Sequence, residues 1–233
     1  MVFDQQAYGE FLVSNRVVGL LEDPIVLRSG GLSYWYANFR TLLGDLRNVD
    51  RAAGFIYDFL EDRKVKPTNA FAVPEGPKEF ASAVNRLLRD AGDGQDLYHK
   101  IVSATSLRAG YKSHGSPLDR YSVGPLSPSM KPVLIEDVST TGNSSTEYVM
   151  NLQEQGIPIL LLLSMLNRQE RRKDGKTVKQ LVEDNYGVTY AAMAAAETVL
   201  PVAVDMLKPG ERILKGLREE FRDHERYIAE IRI

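Results

Sequence analysis

Two aliphatic runs stand out along the chain, residues 133–135 (Val-Leu-Ile) and 157–165, because neither alternates with polar positions. That is the pattern of strands covered on both faces. Between them, Ser144 and Glu147 form a capping-box pattern, which predicts a helix over 144–155 with a stop at Gly156. Strand, loop, helix and strand in this length predict a right-handed βαβ crossover, and hence two parallel strands. Shorter apolar runs at 70–73, 101–104 and 188–192 supply three further strand candidates, while helical periodicity marks 49–63, 78–91, 176–184 and 195–207. The predicted fold class is α/β, a doubly wound, mainly parallel sheet with helices on both faces, binding ligands beyond the carboxyl ends of its strands.

Two segments fall outside this scheme. Residues 106–129 are rich in Ser, Gly and Pro and carry Arg108, Lys112, His114 and Arg120, which predicts a long irregular stretch acting as a cationic, mobile lid. Near the C-terminus Leu214, Leu217, Phe221, His224, Ile228 and Ile231 recur at spacings of three and four, predicting an amphipathic helix whose seam serves core packing or a dimer contact. His224 reads as a structural histidine within that seam, since no second ligand completes a metal site.

Composition narrows the functional classes. A chain of 233 residues without a low-complexity linker or an internal repeat reads as one main domain over 1–207, lid included, and a helical extension over 208–233. The formal charge of −2 argues against a broad nucleic-acid-binding surface. The absence of cysteine removes disulfides, thiolate nucleophiles and thiolate metal sites. The first residues lack a basic stretch followed by an apolar core, and the run at 157–165 is too short to span a bilayer as a helix. A cytoplasmic protein with small-molecule substrates and no membrane partner is expected.

The chemistry concentrates just after the first aliphatic run. Residues 133–144 read Val-Leu-Ile-Glu-Asp-Val-Ser-Thr-Thr-Gly-Asn-Ser, a strand that delivers two adjacent carboxylates into a hydroxyl-rich loop and then a helix start. Carboxylates suit vicinal hydroxyls or a hydrated divalent cation, whereas threonines, a glycine and free amides at a helix start suit a phosphate. A sugar phosphate satisfies both.

This segment resembles the signature of type I phosphoribosyltransferases, which bind phosphoribosyl pyrophosphate (PRPP). The resemblance implies that Glu136 and Asp137 take the ribose hydroxyls and that Val138, Ser139, Thr140, Thr141, Gly142, Asn143 and Ser144 form the loop around the 5-phosphate. Four further stretches are similar to the orotate phosphoribosyltransferase family. Leu27-Arg28-Ser29-Gly30 with residues 33–40 resembles its early Leu-Lys-Ser-Gly segment and aromatic-Asn pattern, placing Arg28 on PRPP. Residues 108–115 resemble its lid motif, which gives Arg108, Lys112 and His114 roles on pyrophosphate, with Lys112, His114 and Asp137 as the catalytic groups. Asn167-Arg168-Gln169-Glu170 resembles the element whose arginine binds the orotate carboxylate, so Arg168 and Thr140 are expected to orient orotate. Residues 182–186 match a downstream segment that carries no chemistry.

The family implies transfer of phosphoribose from PRPP to orotate in pyrimidine biosynthesis. It also implies magnesium carried mainly by PRPP with no direct protein ligand, and a homodimer whose lid reaches the neighbouring subunit. A PRPP-sensing regulator and a transferase for another nucleobase are the alternatives. Ala109 where the family has lysine, Arg28 for lysine, Asn167 for aspartate, and Pro74 and Pro77 in the turn resembling the pyrophosphate loop are departures that weaken or reshape charge and amide donation.

Overall fold

The computed structural model describes residues 2–27, 31–91, 105–110, 120–170 and 172–222. Its centre is a four-stranded parallel sheet in the order β3 (Asn69–Ala72), β6 (Pro132–Ser139), β7 (Leu161–Asn167) and β8 (Tyr190–Ala195). Near-continuous aliphatic runs form these strands because both faces are covered. Phe71, Leu134, Leu162 and Tyr190 pack against Val149 and Leu152 of α4 (Asn143–Glu154) and Val178 and Val182 of α5 (Val178–Tyr186). Ala70, Ile135, Leu163 and Met193 belong to a larger core on the other face, shared with α1 (Gln5–Ser14), α2 (Leu46–Asp62), α3 (Lys78–Asp90) and α6 (Ala196–Leu207). The predicted α/β class and the parallel β6–α4–β7 unit are present as read.

Boundaries moved for local reasons. The strand expected at 157–165 begins only at Leu161, because Gly156 (φ 69°) ends α4 and the Ile157 amide returns to the Leu152 carbonyl at 3.0 Å. The strand expected at 188–192 runs through Tyr190–Ala195, where parallel pairing with β7 holds an alanine-rich stretch that has little strand propensity of its own. The candidate at 101–104 lies outside the described residues.

Residues 106–129 are not irregular throughout. Their ends pair as a short antiparallel ladder, β4 (Ser106–Leu107) with β5 (Ser122–Val123), extended by the Arg108 amide bonded to the Tyr121 carbonyl at 2.9 Å. The tip, with Lys112 and His114, lies outside the described residues, as does Arg28.

An N-terminal hairpin not anticipated from the residue pattern, β1 (Val18–Val26) with β2 (Leu32–Ala37), precedes a short 3-10 helix Phe39–Gly44. Helix α7 (Glu211–Arg222) packs on this hairpin through Ile213, Leu217 and Phe221. Leu214, assigned to the seam from its spacing, is only partly buried, since Ile213 and Leu217 already define the inward face four residues apart. A side chain at Gly216 would collide with the Tyr34 ring at 2.6 Å, and Glu220 accepts the Tyr34 amide at 3.0 Å. His224, Ile228 and Ile231 lie outside the described residues.

Candidate active site

Strand β6 carries the acid pair to the carboxyl end of the sheet. Side chains alternate along it, so Glu136 falls on the side of Leu134 and α4, while Asp137 follows Ile135 toward the opposite side. Glu136 is buried at 6% exposure. The Ser139 hydroxyl donates to its Oε2 at 2.7 Å, and the Tyr190 hydroxyl donates to Ser139 Oγ at 3.1 Å. Burial pushes the Glu136 carboxyl up to about 7, aided by the neighbouring Asp137 charge and opposed by the Ser139 hydrogen bond. Burial also raises the Asp137 carboxyl above its ordinary value, against the Val138 amide, which donates to Oδ1 at 2.9 Å, and the charge of Arg40. The turn after β3 closes over this acid: a Cβ on Gly76 would overlap the Asp137 carboxylate, so a larger residue there would have to displace that side chain.

The raised Glu136 value has a measurable sign. A carboxyl that holds its proton more tightly when folded contributes stability that is complete below its ordinary value of 4.5 and is lost as pH rises through about 7. Thermal unfolding of the wild type should therefore shift to lower temperature across that window, and Glu136→Gln should flatten this part of the profile. Identical slopes in the two proteins would contradict the burial argument.

Beyond the acids the chain turns through Gly142, whose φ of 75° and ψ of 3° place it at the N-cap of α4. Glycine is needed twice here, for the left-handed backbone and because a Cβ would lie 2.9 Å from Val178 Cγ1 of α5. The helix starts at Asn143, one residue earlier than expected, so Ser144 sits inside the first turn and the Ser144–Glu147 capping box does not form. No side chain among the described residues caps this end. The nearby hydroxyls turn back instead, Ser145 to the Gly142 carbonyl at 3.1 Å and Thr146 to the Asn143 carbonyl at 3.0 Å. The amides of the first turn are left for an anion. Thr140, Thr141, Asn143 and Ser144 reach the surface around them. Ser139 does not belong to that rim. It is fully buried, and its hydroxyl joins Glu136 to Tyr190, while Val138 packs against the core, so at these two positions the backbone is what the loop can offer a phosphate.

Arg168 follows the last residue of β7, and its amide donates to the Ser139 carbonyl at 2.9 Å, which ties this element to the acid-pair loop. Its guanidinium lies 4.1 Å from the Trp35 ring centroid, donates from Nη2 to Ser33 Oγ at 2.9 Å, and pairs through Nε with Glu170 at 2.9 Å. Both members of this ion pair are nearly enclosed, with side chains 7% and 10% exposed. The rest of the fork, Nη1, has no partner among the described residues. Strand β2 therefore supports the arginine, and Trp35, to which the sequence assigns no site role, is the plate on which it stacks. Sequence reasoning also missed the parts played by Ser33, Tyr190 and Glu170. Glu170 was visible two positions after Arg168 and Ser33 opens the 33–40 stretch, whereas nothing local ties Ser33 to Arg168 or Tyr190 to Ser139. Arg108 stands at the base of the lid hairpin, where its Nε donates to the Ser122 carbonyl at 3.1 Å.

No protein-family model matches the chain. It is 30% identical over 148 residues to the orotate phosphoribosyltransferase of Rhodopseudomonas palustris (strain TIE-1), covering 63% of this chain and 74% of that protein. Among solved structures, orotate phosphoribosyltransferase from Francisella tularensis aligns with a TM-score of 0.69 at 18% identity, covering 93% of this chain and 98% of that one. Leishmania donovani UMP synthase aligns with a TM-score of 0.71 at 16% identity, over 94% of this chain and 42% of its own. These structural likenesses establish the shared fold.

Proposed function

The chain belongs to the orotate phosphoribosyltransferase family, and from that membership we infer that it transfers the phosphoribosyl group of PRPP to orotate, releasing pyrophosphate and forming orotidine 5-phosphate for pyrimidine biosynthesis. The observation that carries this reading is the placement of Arg168 against the acid-pair loop, through the bond from its amide to the Ser139 carbonyl. One site thus offers carboxylates for a ribose, an open helix start for its phosphate and a guanidinium for a carboxylate-bearing base.

The roles follow from the chemistry. Glu136 and Asp137 accept hydrogen bonds from the two ribose hydroxyls, and their negative charge favours the positive density that grows at the anomeric carbon as pyrophosphate departs. The loop from Thr140 to Ser144 holds the 5-phosphate. Ser33, Glu170 and Trp35 fix the Arg168 fork so that Nη1 meets the orotate carboxylate, and Thr140 helps to place the ring, whose nitrogen attacks with inversion. Arg28, Arg108, Lys112 and His114 supply charge, and His114 a proton, to the leaving pyrophosphate.

Magnesium is expected to arrive with PRPP. Among the described residues no group of three or more His, Asp or Glu side chains gathers to hold a metal, and an ion bound by the donor's own phosphate oxygens and by water needs none. When bound, it neutralises charge on the pyrophosphate. A cytoplasmic setting fits this chemistry, and no described helix is long and apolar enough to cross a membrane.

Incubation with PRPP, magnesium and orotate should yield orotidine 5-phosphate and pyrophosphate in equal amounts, identified by mass. No product from orotate would contradict the reading. The lid is assigned to the neighbouring subunit of a homodimer. Lys112→Ala and Asp137→Asn chains, each nearly inactive alone, should therefore regain activity when mixed under exchange conditions, because one site in the mixed dimer has both a wild-type lid and a wild-type acid pair. No rescue in mixed dimers would place the lid on its own subunit.

A further inference from the structure

Arg172 lies in the connection between β7 and α5, and its side chain is only 13% exposed. Its guanidinium is held by Asp174, Nε to Oδ1 at 3.1 Å and Nη2 to Oδ2 at 2.9 Å, and these hydrogen bonds keep the Asp174 carboxyl below its usual range. Nη1 then donates to the Thr141 carbonyl and to Asn143 Oδ1, the latter at 3.0 Å. Two of the loop's polar groups are thus drawn toward one fixed cation.

The consequence lies on the other side of the peptide. In a planar trans peptide the N–H points opposite the C=O. When Arg172 takes the Thr141 carbonyl, the Gly142 amide is turned the other way, and no described residue accepts it. The Asn143 side chain, which could otherwise fold back onto the amides of the first turn, is held by the same Nη1. Val178 of α5 against Gly142 fixes the spacing between the connection and the loop.

We propose that Arg172, clamped by Asp174, is a positioning residue for the 5-phosphate: it rotates the Thr141–Gly142 peptide so that the Gly142 amide joins the free donors at the start of α4. The proposal rests on the phosphoribosyl reading of this loop and adds a residue to it. Arg172 acts through the loop and leaves the pyrophosphate end of the donor untouched.

The test compares two fragments of the donor on the full chain by calorimetry, ribose 5-phosphate and inorganic pyrophosphate with magnesium. In Arg172→Gln, ribose 5-phosphate should bind about tenfold more weakly, the loss of one charge-assisted contact, while pyrophosphate affinity holds. Asp174→Ala, which keeps the guanidinium but frees it, should show the same selectivity with a smaller loss. Unchanged ribose 5-phosphate affinity in both variants would overturn the proposal, and so would equal weakening of both fragments, which would mark general damage to the site. If the wild type bound pyrophosphate but not ribose 5-phosphate, the phosphoribosyl reading of the loop itself would fall.

Discussion

Glu136→Gln combined with Asp137→Asn is expected to remove PRPP binding while the chain stays folded. A hydrogen bond to a charged group contributes about 1.5–3 kcal/mol, so loss of the charge on both acceptors should weaken PRPP by roughly a hundredfold to ten-thousandfold. The fold should tolerate the change. A glutamine at 136 can still accept from Ser139, and removing a carboxyl that burial has already pushed up to about 7 relieves a desolvation cost. Asp137 is partly exposed at the strand's end, so an asparagine there keeps its shape and its acceptor for the Val138 amide. Titration calorimetry with PRPP and magnesium reads the first effect and thermal unfolding the second. Retained PRPP affinity in the folded double variant would detach the acid pair from the donor.

Arg168→Ala should separate the acceptor from the donor. Orotate use is expected to fall by about 1.5–3 kcal/mol in kcat/KM, the loss of a charge-assisted contact to a carboxylate, with PRPP affinity little changed. The substitution also strips Glu170 and Ser33 of a nearly enclosed partner, and breaking a buried ion pair costs stability by about 3–5 kcal/mol. A paired variant, Arg168→Met with Glu170→Gln, places an apolar chain of similar length beside Trp35 and leaves no unpaired charge. It should recover most of the stability and none of the orotate use. Recovery of both in steady-state kinetics would show that Arg168 is a structural arginine.

The acid-pair loop was readable because its chemistry is written in consecutive residues. Strand, carboxylates, hydroxyls, glycine and helix start follow one another between positions 133 and 144, so local pattern and site coincide. The same is true of the parallel β6–α4–β7 unit. What surrounds that loop was not legible. Tyr190 reaches Ser139 from β8 across β7, and Ser33 reaches Arg168 over 135 positions of sequence. Neither neighbourhood names the distant partner. The capping-box reading failed for a related reason: Gly142, with its left-handed backbone, took the N-cap position and moved the helix start by one residue. Burial also sets side-chain contacts that the run of residues does not show. Ser139 stands in the run as part of the phosphate loop, and what the run does not show is that a strand extending to residue 139 turns its hydroxyl into the fold.

The central claim is that the base accepted by this site is orotate, chosen by its carboxylate. It is tested most directly by base-dependent pyrophosphate release from PRPP, measured in parallel with orotate, uracil, hypoxanthine, guanine and adenine. The expected result is release with orotate and none above background with the four bases that lack a carboxylate. Release with a purine or with uracil at a rate matching or exceeding that with orotate would contradict it.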